Sequence, residues 1–440
     1  MVIPERNTGA VPGDAFFIFT MGCKVNRYEA QALREAWTAR GLKEAAKVED
    51  AGTVIINSCA VTTGAISDLR AAVRRFRRAA PDAEIIVTGC AAGQAETADL
   101  PGFSRIVPQR DKADLLRLFA EDGTAGRREF SVSSGDRSRA VLKIQDGCSR
   151  SCAFCIVPLV RGPSRSRPPD ASADEALRLL QAGFREIVIS GVNLRQYREQ
   201  GGKDFWDFLE RLEEILAPDW AGSARLRLSS LEPGQLGDKA LAVLSRSRML
   251  APHLHLSLQS GDPAVLKRMG RGHYDPEELP NFFARLSKIW PRFALGADLL
   301  TGFPGETEAE FAAGLNFLRR IPLTYAHVFP YSRRPDTLAA SAADVVGAGV
   351  KKERAARLRA FAQERKEAFL RSLLDVPLLH AVFEGENGNP LAGMCEYYAE
   401  CLLQEQDIVF VRPRELLPVR PLDLRGGKLI TALTQCFKAI

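Results

Sequence analysis

The sequence predicts an α/β protein in three parts: an N-terminal doubly wound α/β domain over residues 12–125, a central partial TIM-type barrel of six βα units over 137–372, and a small C-terminal β-barrel over 376–440. Short apolar runs alternate with amphipathic stretches in two successive series. The polar segment EDGTAGRREFSVSSGDRSR separates them, and after the second series the helical pattern gives way to strand-like runs broken by Gly, Asn and Pro. At 440 residues the chain also exceeds the roughly 250–300 at which one hydrophobic core stops growing.

In the first series AFFIFTMGC reads as a strand and RYEAQALREAWTARG as a helix ended by Gly41. GTVIINSC is a strand, TGAISDLRAAVRRFRRAAP a helix and EIIVTGC a strand. This βαβαβ order implies a parallel sheet with helices on its faces. Each strand runs into a cysteine: Cys23, Cys59 and Cys90. Open α/β sheets bind ligands beyond the carboxyl ends of their strands, and neighbouring strands lie about 4.8 Å apart. The three thiols are therefore expected to converge on one shared ligand; the alternative is three small residues packed separately at strand ends.

In the second series AVLKIQ, REIVISG, RLRLSS, HLHLSL, FALGADLL and TYAHVFPYS are six strand candidates with helical patterns between them. Six units fall short of the eight of a closed barrel, and the active face of such folds is the carboxyl end of the strands. A charged helix, GVKKERAARLRAFAQERKEAFLRSLL, leads out of the barrel. LLHAVFEG, YYAECLL and DIVFVRPREL then suggest the small β-barrel, with Arg412, Arg414, Arg420, Arg425 and Lys428 as its basic residues. Such barrels bind RNA on one face or serve as structural caps.

With 46% hydrophobic and 26% charged residues, the composition is that of a globular protein with ample core. The start MVIPERNTGAVPGDAFFIF has no basic segment followed by an apolar one, and no apolar run approaches the roughly 20 residues a bilayer needs, so a cytoplasmic location is expected. Nine cysteines without an export signal suit a reducing compartment, where thiols serve metals or catalysis; Cys395, Cys401 and Cys436 read as apolar filler. A net charge of +6 only leaves acidic partners open. Arg70, Arg74, Arg75, Arg77 and Arg78 fall on one helix, where a solvated face is the plain reading. Arg161, Arg165 and Arg167, directly after the cysteine motif described next, are the better candidates for phosphate contacts.

That motif is DGCSRSCAFC, which places Cys148, Cys152 and Cys155 in the spacing C-x3-C-x2-C. As a helix it would form an apolar stripe, but Gly147, the polar SRS and Pro158 favour a loop. Three close soft thiolates suit zinc or an iron–sulfur cluster. Zinc wants a fourth ligand, and none of the five His residues is near in sequence. A four-iron cluster on three cysteines leaves one iron open to a ligand with an amine and a carboxylate.

The spacing, with Phe154 before the last cysteine, closely resembles the radical S-adenosylmethionine enzymes. MGCKVNRYEA, INSCAVT, TGCAAGQ, LKIQDGC, SGVNLRQY, LSSLEP, HLHLSLQSG, LLTGFPGET and HVFPYSRRP together resemble the methylthiotransferase family. The resemblance implies a radical-SAM barrel, a TRAM-like C-terminal domain and two [4Fe-4S] clusters, one held by Cys148, Cys152 and Cys155 and an auxiliary one held by Cys23, Cys59 and Cys90. It also implies S-adenosylmethionine as cofactor: one molecule methylates the sulfur to be delivered, and a second yields the radical that removes a substrate hydrogen. Strand-end position adds Gly191, Asn193, Ser230, Glu232, Gln259 and Asp298 as candidate cofactor contacts, and Arg161 as a group that positions a carboxylate or phosphate.

GCKVN and LKIQDGC look most like the branch acting on tRNA N6-threonylcarbamoyladenosine, which implies methylthiolation at C2 of that nucleoside at position 37 in the anticodon stem-loop. An electron donor such as flavodoxin or ferredoxin and a sulfur source are then implied as partners, with no membrane. The isopentenyladenosine branch, the branch acting on a ribosomal-protein aspartate, and a non-catalytic metal and RNA-binding protein are the alternatives. The sequence departs from the family at Asp336, usually glycine, and in NPLAGMCEYYAECLLQEQ of the C-terminal domain.

Overall fold

The computed structural model describes residues 14–434 except 95–96, 98–99, 120–128, 136, 344–345 and 385–390, with the side chains of residues 63, 409 and 410 also left undescribed. Cys436 and part of the expected linker lie outside the described residues. Contacts divide the chain into two compact units. One holds residues up to Val132 with Leu159–Gly162, and the other holds Ser133–Pro158 and Pro163 onward.

The first unit runs β1 (Ala15–Thr20), α1 (Lys24–Thr38), β2 (Lys43–Glu44), β3 (Thr53–Ser58), α2 (Thr63–Ala79), β4 (Glu84–Gly89) and β5 (Arg105–Ile106). All pairings are parallel in the order β2-β1-β3-β4-β5, so the winding reverses between β1 and β3. Every residue of β3 is buried, as a strand covered on both faces requires. Trp37 of α1 packs edge-on to Phe16 of β1 at 5.1 Å, and its indole nitrogen donates to the Leu115 carbonyl. Thr62 caps α2 by accepting from the Ala65 amide, and Arg77 of that helix spends its guanidinium on the carbonyls of Pro81, Ala83 and Gly102. The two-residue edge strands β2 and β5 carry too little pattern to read from sequence.

In the second unit β6 (Ala140–Lys143) is followed by the short antiparallel pair β7 (Gln145–Asp146) and β8 (Arg165–Ser166), then by α3 (Pro169–Gln181), β9 (Glu186–Ser190), α4 (Phe205–Trp220), β10 (Arg225–Leu228), β11 (Ser230–Leu231), α5 (Asp238–Arg246), β12 (His253–Gln259), α6 (Pro263–Arg268), α7 (Leu279–Ile289), β13 (Ala294–Thr301), α8 (Glu308–Arg319), β14 (Tyr325–Pro330) and α9 (Ala348–Ser372). The six expected strands are all present and parallel, in the order β6-β9-β10/β11-β12-β13-β14, with β10 and β11 interrupted only at Ser229. Among the described residues β6 and β14 do not pair with each other, so the barrel is open. Asp336, where the family usually has glycine, has φ +62, so it keeps the left-handed backbone that glycine favours and aspartate tolerates.

A closed five-stranded barrel follows: β15 (Leu379–Phe383), β16 (Ala392–Cys395), β17 (Glu400–Leu403), β18 (Leu416–Arg425) and β19 (Lys428–Leu433), in the order β15-β16-β17-β19-β18. Cys395 and Cys401 are fully buried in its core beside Phe383 and Val419, as apolar filler. The expected strand at DIVFVRPREL is instead a 3-10 turn over Glu405–Phe410, because the Asp407 carboxylate turns inward and accepts the Leu433 amide at 2.9 Å. This barrel is anchored by buried arginines of β10. Arg225 donates to the carbonyls of His380 and Met394 and Arg227 to those of Cys395 and Glu396, while both pair with Glu186. Arg414, one of the basic residues of the expected small barrel, lies over the Phe184 ring at 4.1 Å and donates to the Ala182 and Gly135 carbonyls.

Candidate cluster sites and cofactor contacts

In the first unit the three cysteines follow β1, β3 and β4, which are adjacent in the sheet. Cys23 is the N-cap of α1, Cys59 comes one residue after β3, and Cys90 one after β4. The Met21 amide donates to the Asn57 carbonyl at 2.8 Å and the Cys90 amide to the Ser58 carbonyl at 3.0 Å, so the three turns are stitched together. Two glycines permit this approach. Gly22, at φ +88, would bring a Cβ within 2.9 Å of the Cys59 Cβ, and Gly89, at φ +93, would bring one within 2.4 Å of the Ser58 carbonyl oxygen.

Behind Cys90 lies a buried ionic group. Arg161 donates through Nε to the Cys90 sulfur at 3.3 Å, through Nη1 to Glu29 at 2.9 Å and through Nη2 to Asn26 at 2.7 Å. Lys112 donates to the second Glu29 oxygen at 2.5 Å and to Asn57 at 2.7 Å. Glu29 and Lys112 are fully buried and Arg161 nearly so. Among the described residues Arg161 and Lys112 share the Glu29 carboxylate, and burial pulls the Lys112 ammonium below its usual range although Glu29 opposes it. Arg161 and Lys112 both favour a thiolate at Cys90. Burial raises the Cys90 thiol, with Arg161 opposing, so an unligated thiol stays protonated and gives up its proton to a metal.

In the second unit Cys148, Cys152 and Cys155 lie on a loop rather than a helix. Gly147, at φ +67, starts it; Gln145 Nε2 donates to the Gly147 carbonyl at 2.8 Å and to Ser164 Oγ at 2.9 Å. The Ala153 amide and carbonyl bond to Met269 and Ala339, and Phe154 packs on the buried group of Val265, Met269, Phe303 and Tyr331. Burial pushes the Cys155 thiol up to about 12. Among the described residues, three ligand atoms mutually within 4.8 Å occur at His255, Asp298 and His327. One zinc with bonds of about 2.3 Å needs sulfurs about 3.8 Å apart, so neither thiol trio is drawn in as the ligands of a single ion.

Gly191 and Asn193 sit beside this loop. A Cβ at Gly191 would meet Leu194 at 2.9 Å and Gln145 at 3.0 Å; the Asn193 amide donates to Gln145 Oε1 at 2.7 Å, and its side-chain nitrogen lies 3.6 Å from the Cys148 sulfur. Among the described residues the buried Asn193 Oδ1 has no hydrogen-bond partner, and neither do Arg195 Nη1, Arg271 Nε and His273 Nδ1. An acceptor and cationic donors left over beside the loop fit the ammonium and carboxylate of an amino-acid cofactor. Glu232 is already engaged, by Arg271 at 2.9 Å and His273 at 2.8 Å. Burial acts to raise its carboxyl, but these partners outweigh it and hold the group below the usual range. Ser230 is exposed, and Gln259 ends β12 in the left-handed region at φ +69, a strained backbone of the kind found at ligand sites.

Two candidates have partners other than those expected. Arg161 positions a carboxylate, but it is the protein's own Glu29, and it reaches Cys90. Asp298 accepts from His255 and His327 on neighbouring strands. Sequence reasoning passed over Gln145, Arg271, Glu29 and Lys112. Gln145 stands just before the cysteine loop and Arg271 between Gly270 and Gly272, both usable signals; Glu29 and Lys112 lie in amphipathic stretches that give none.

Residues 142–318 match the Radical SAM superfamily and residues 15–104 the uncharacterized protein family UPF0004. The threonylcarbamoyladenosine tRNA methylthiotransferase MtaB of Bacillus subtilis (strain 168) is 36% identical over 406 residues, covering 88% of this chain and 89% of the relative. That of Aquifex aeolicus (strain VF5) is 32% identical over 371 residues, covering 80% and 88%. The chain belongs to the radical S-adenosylmethionine methylthiotransferases. In this methylthiotransferase the Radical SAM match holds Cys148, Cys152 and Cys155, and the UPF0004 match holds Cys23, Cys59 and Cys90. The methylthiotransferase shares its fold with TsrM from Kitasatospora setae, a radical S-adenosylmethionine methyltransferase solved with cobalamin and a [4Fe-4S] cluster, at a TM-score of 0.55, 13% identity and 74% and 77% coverage. Among the described residues no helix is long and apolar enough to cross a membrane.

Proposed function

We propose that this methylthiotransferase acts on tRNA in the cytoplasm, placing a methylthio group at C2 of N6-threonylcarbamoyladenosine at position 37 of the anticodon stem-loop. The identity to relatives named for that nucleoside, over nearly the full length of both chains, carries the reading. Cys148, Cys152 and Cys155 hold one [4Fe-4S] cluster and Cys23, Cys59 and Cys90 the other. When bound, the clusters and two molecules of S-adenosylmethionine supply the radical that removes a hydrogen and the methylated sulfur that takes its place. The chain's own part is to hold and exclude. Asn193 and the free nitrogens of Arg195 and Arg271 receive the amino-acid end of the cofactor. Phe154 and its apolar neighbours keep water from that side of the loop. Arg161 and Lys112 balance the negative charge of the thiolate at Cys90. An electron donor such as flavodoxin or ferredoxin and a sulfur source complete the reaction. Nucleoside mass spectrometry of tRNA from a deletion strain tests the reading: 2-methylthio-threonylcarbamoyladenosine disappears and returns on complementation. An unchanged level, with no second enzyme of this type in the strain, overturns it.

A further inference from the structure

Three neighbouring strands, β12, β13 and β14, bring His255, Asp298 and His327 to one point. His255 Nε2 lies 3.1 Å from Asp298 Oδ1 and His327 Nδ1 3.2 Å from the same oxygen, and one ligand atom from each residue falls within 4.8 Å of the others. Ligands adjacent on one ion at bonds of about 2.1 Å are about 3 Å apart. Strand alternation puts Asp298 on the same face of β13 as Leu300, which packs on the buried group that Phe154 also covers, and opposite the buried Ala297 and Leu299.

The group is supported from behind as metal-binding histidines are. Tyr325 Oη lies 2.9 Å from His255 Nδ1 and 2.8 Å from His253 Nε2, which fixes the imidazole of His255 with Nε2 toward Asp298. Tyr398 stacks on both His253, at 4.6 Å between ring centres, and Tyr325, at 5.5 Å. The arrangement depends on Gly296. A Cβ there would stand 2.2 Å from the Tyr325 ring and 2.4 Å from His255 Nδ1, so a glycine in mid-strand, otherwise unfavourable, is what allows the two rings to meet. His255 is buried, whereas the His327 side chain is 53% exposed, so the group opens to solvent on one side only.

We propose that His255, Asp298 and His327 form a metal site distinct from both thiol trios, taking one divalent first-row transition ion such as zinc or iron(II). Two imidazoles and one carboxylate suit those ions, and three protein ligands leave positions for water or for an oxygen of an entering molecule on the His327 side. The ion replaces the two hydrogen bonds to Asp298 and ties β12, β13 and β14 together beside the open edge of the barrel.

The test uses the full chain, reconstituted anaerobically with iron and sulfide, then incubated with one equivalent of zinc and desalted. About one zinc per chain is expected, with iron unchanged, and zinc-edge X-ray absorption should show a nitrogen and oxygen shell at about 2.0–2.1 Å. D298N and H327A should retain at least ten-fold less zinc at the same iron content. Wild-type protein that keeps no zinc, a sulfur shell near 2.3 Å, or equal retention in both variants would each overturn the proposal. If a variant fails to fold, the wild-type absorption edge decides alone.

Discussion

The Nε of Arg161 lies 3.3 Å from the Cys90 sulfur while the same guanidinium holds Glu29 at 2.9 Å. One side chain thereby joins a cysteine at a strand end to a carboxylate on a helix, and it does so in a nearly dry interior. A donor on a cluster sulfur and a nearby positive charge both favour the reduced, more negative state. R161M should therefore lower the reduction potential of the cluster proposed on Cys23, Cys59 and Cys90, and R161K, which keeps the charge, should lower it less. Redox titration followed by electron paramagnetic resonance reads the difference, and equal potentials in all three proteins would refute the role.

The same group makes a stability prediction with an order in it. E29Q removes the one carboxylate between two buried cations and should cost about 3–5 kcal/mol, the usual penalty for stranding buried charge. K112M leaves the Arg161–Glu29 pair intact and strands only the Asn57 oxygen, so about 1–3 kcal/mol is expected. Thermal unfolding of the two variants compares them; a larger loss in K112M would show that the charge account is mistaken.

Metal content tests the cysteine assignment. Two four-iron clusters give about eight irons per chain, and C59A or C152A should each leave about four. Anaerobic iron and sulfide analysis decides it. A single substitution that removes all iron would mean that the six thiols do not form two independent sites.

Gly296 is predicted to resist substitution out of proportion to its size. G296A adds one methyl group that overlaps both Tyr325 and His255, and Tyr398, stacked on Tyr325, limits the retreat of that ring. Overpacking of this kind costs about 1–3 kcal/mol. A melting temperature unchanged from wild type would contradict the close approach.

The barrel strands, their parallel order and the placement of Cys23, Cys59 and Cys90 directly after adjacent strands were legible because alternation and Cys spacing are local signals. β3 and β4 are short apolar runs that each end at a Cys, and the cysteine loop is marked by Gly147 and Pro158. What was not legible depends on long-range pairing. Arg161 reads as a phosphate contact beside its motif, yet its partners are 71 to 135 positions away. Asp298 reads as a cofactor contact within the fifth barrel strand, and only the register of β12 and β14 shows that two histidines flank it. DIVFVRPREL has the composition of a strand, and the inward turn of Asp407 overrides it.

Acid should loosen the attachment of the C-terminal barrel. Burial alone would raise the Glu186 carboxyl, but Arg225 and Arg227 outweigh it and hold the group well below its ordinary value of 4.5. A depressed carboxyl contributes stability that is complete above its unfolded value and is lost as pH falls toward the folded one. The contribution is thus flat from pH 7 to about 5 and declines below about 4.3. E186Q leaves Arg225 and Arg227 buried without their carboxylate and should be about 3–5 kcal/mol less stable at pH 7. The gap should narrow as both proteins are acidified below about pH 4.3. Because the same arginines donate to carbonyls at His380, Met394, Cys395 and Glu396, limited proteolysis at neutral pH should release the C-terminal barrel faster from E186Q than from wild type. A stability gap that stays constant into acid would place the effect of the substitution elsewhere than in the lost charge.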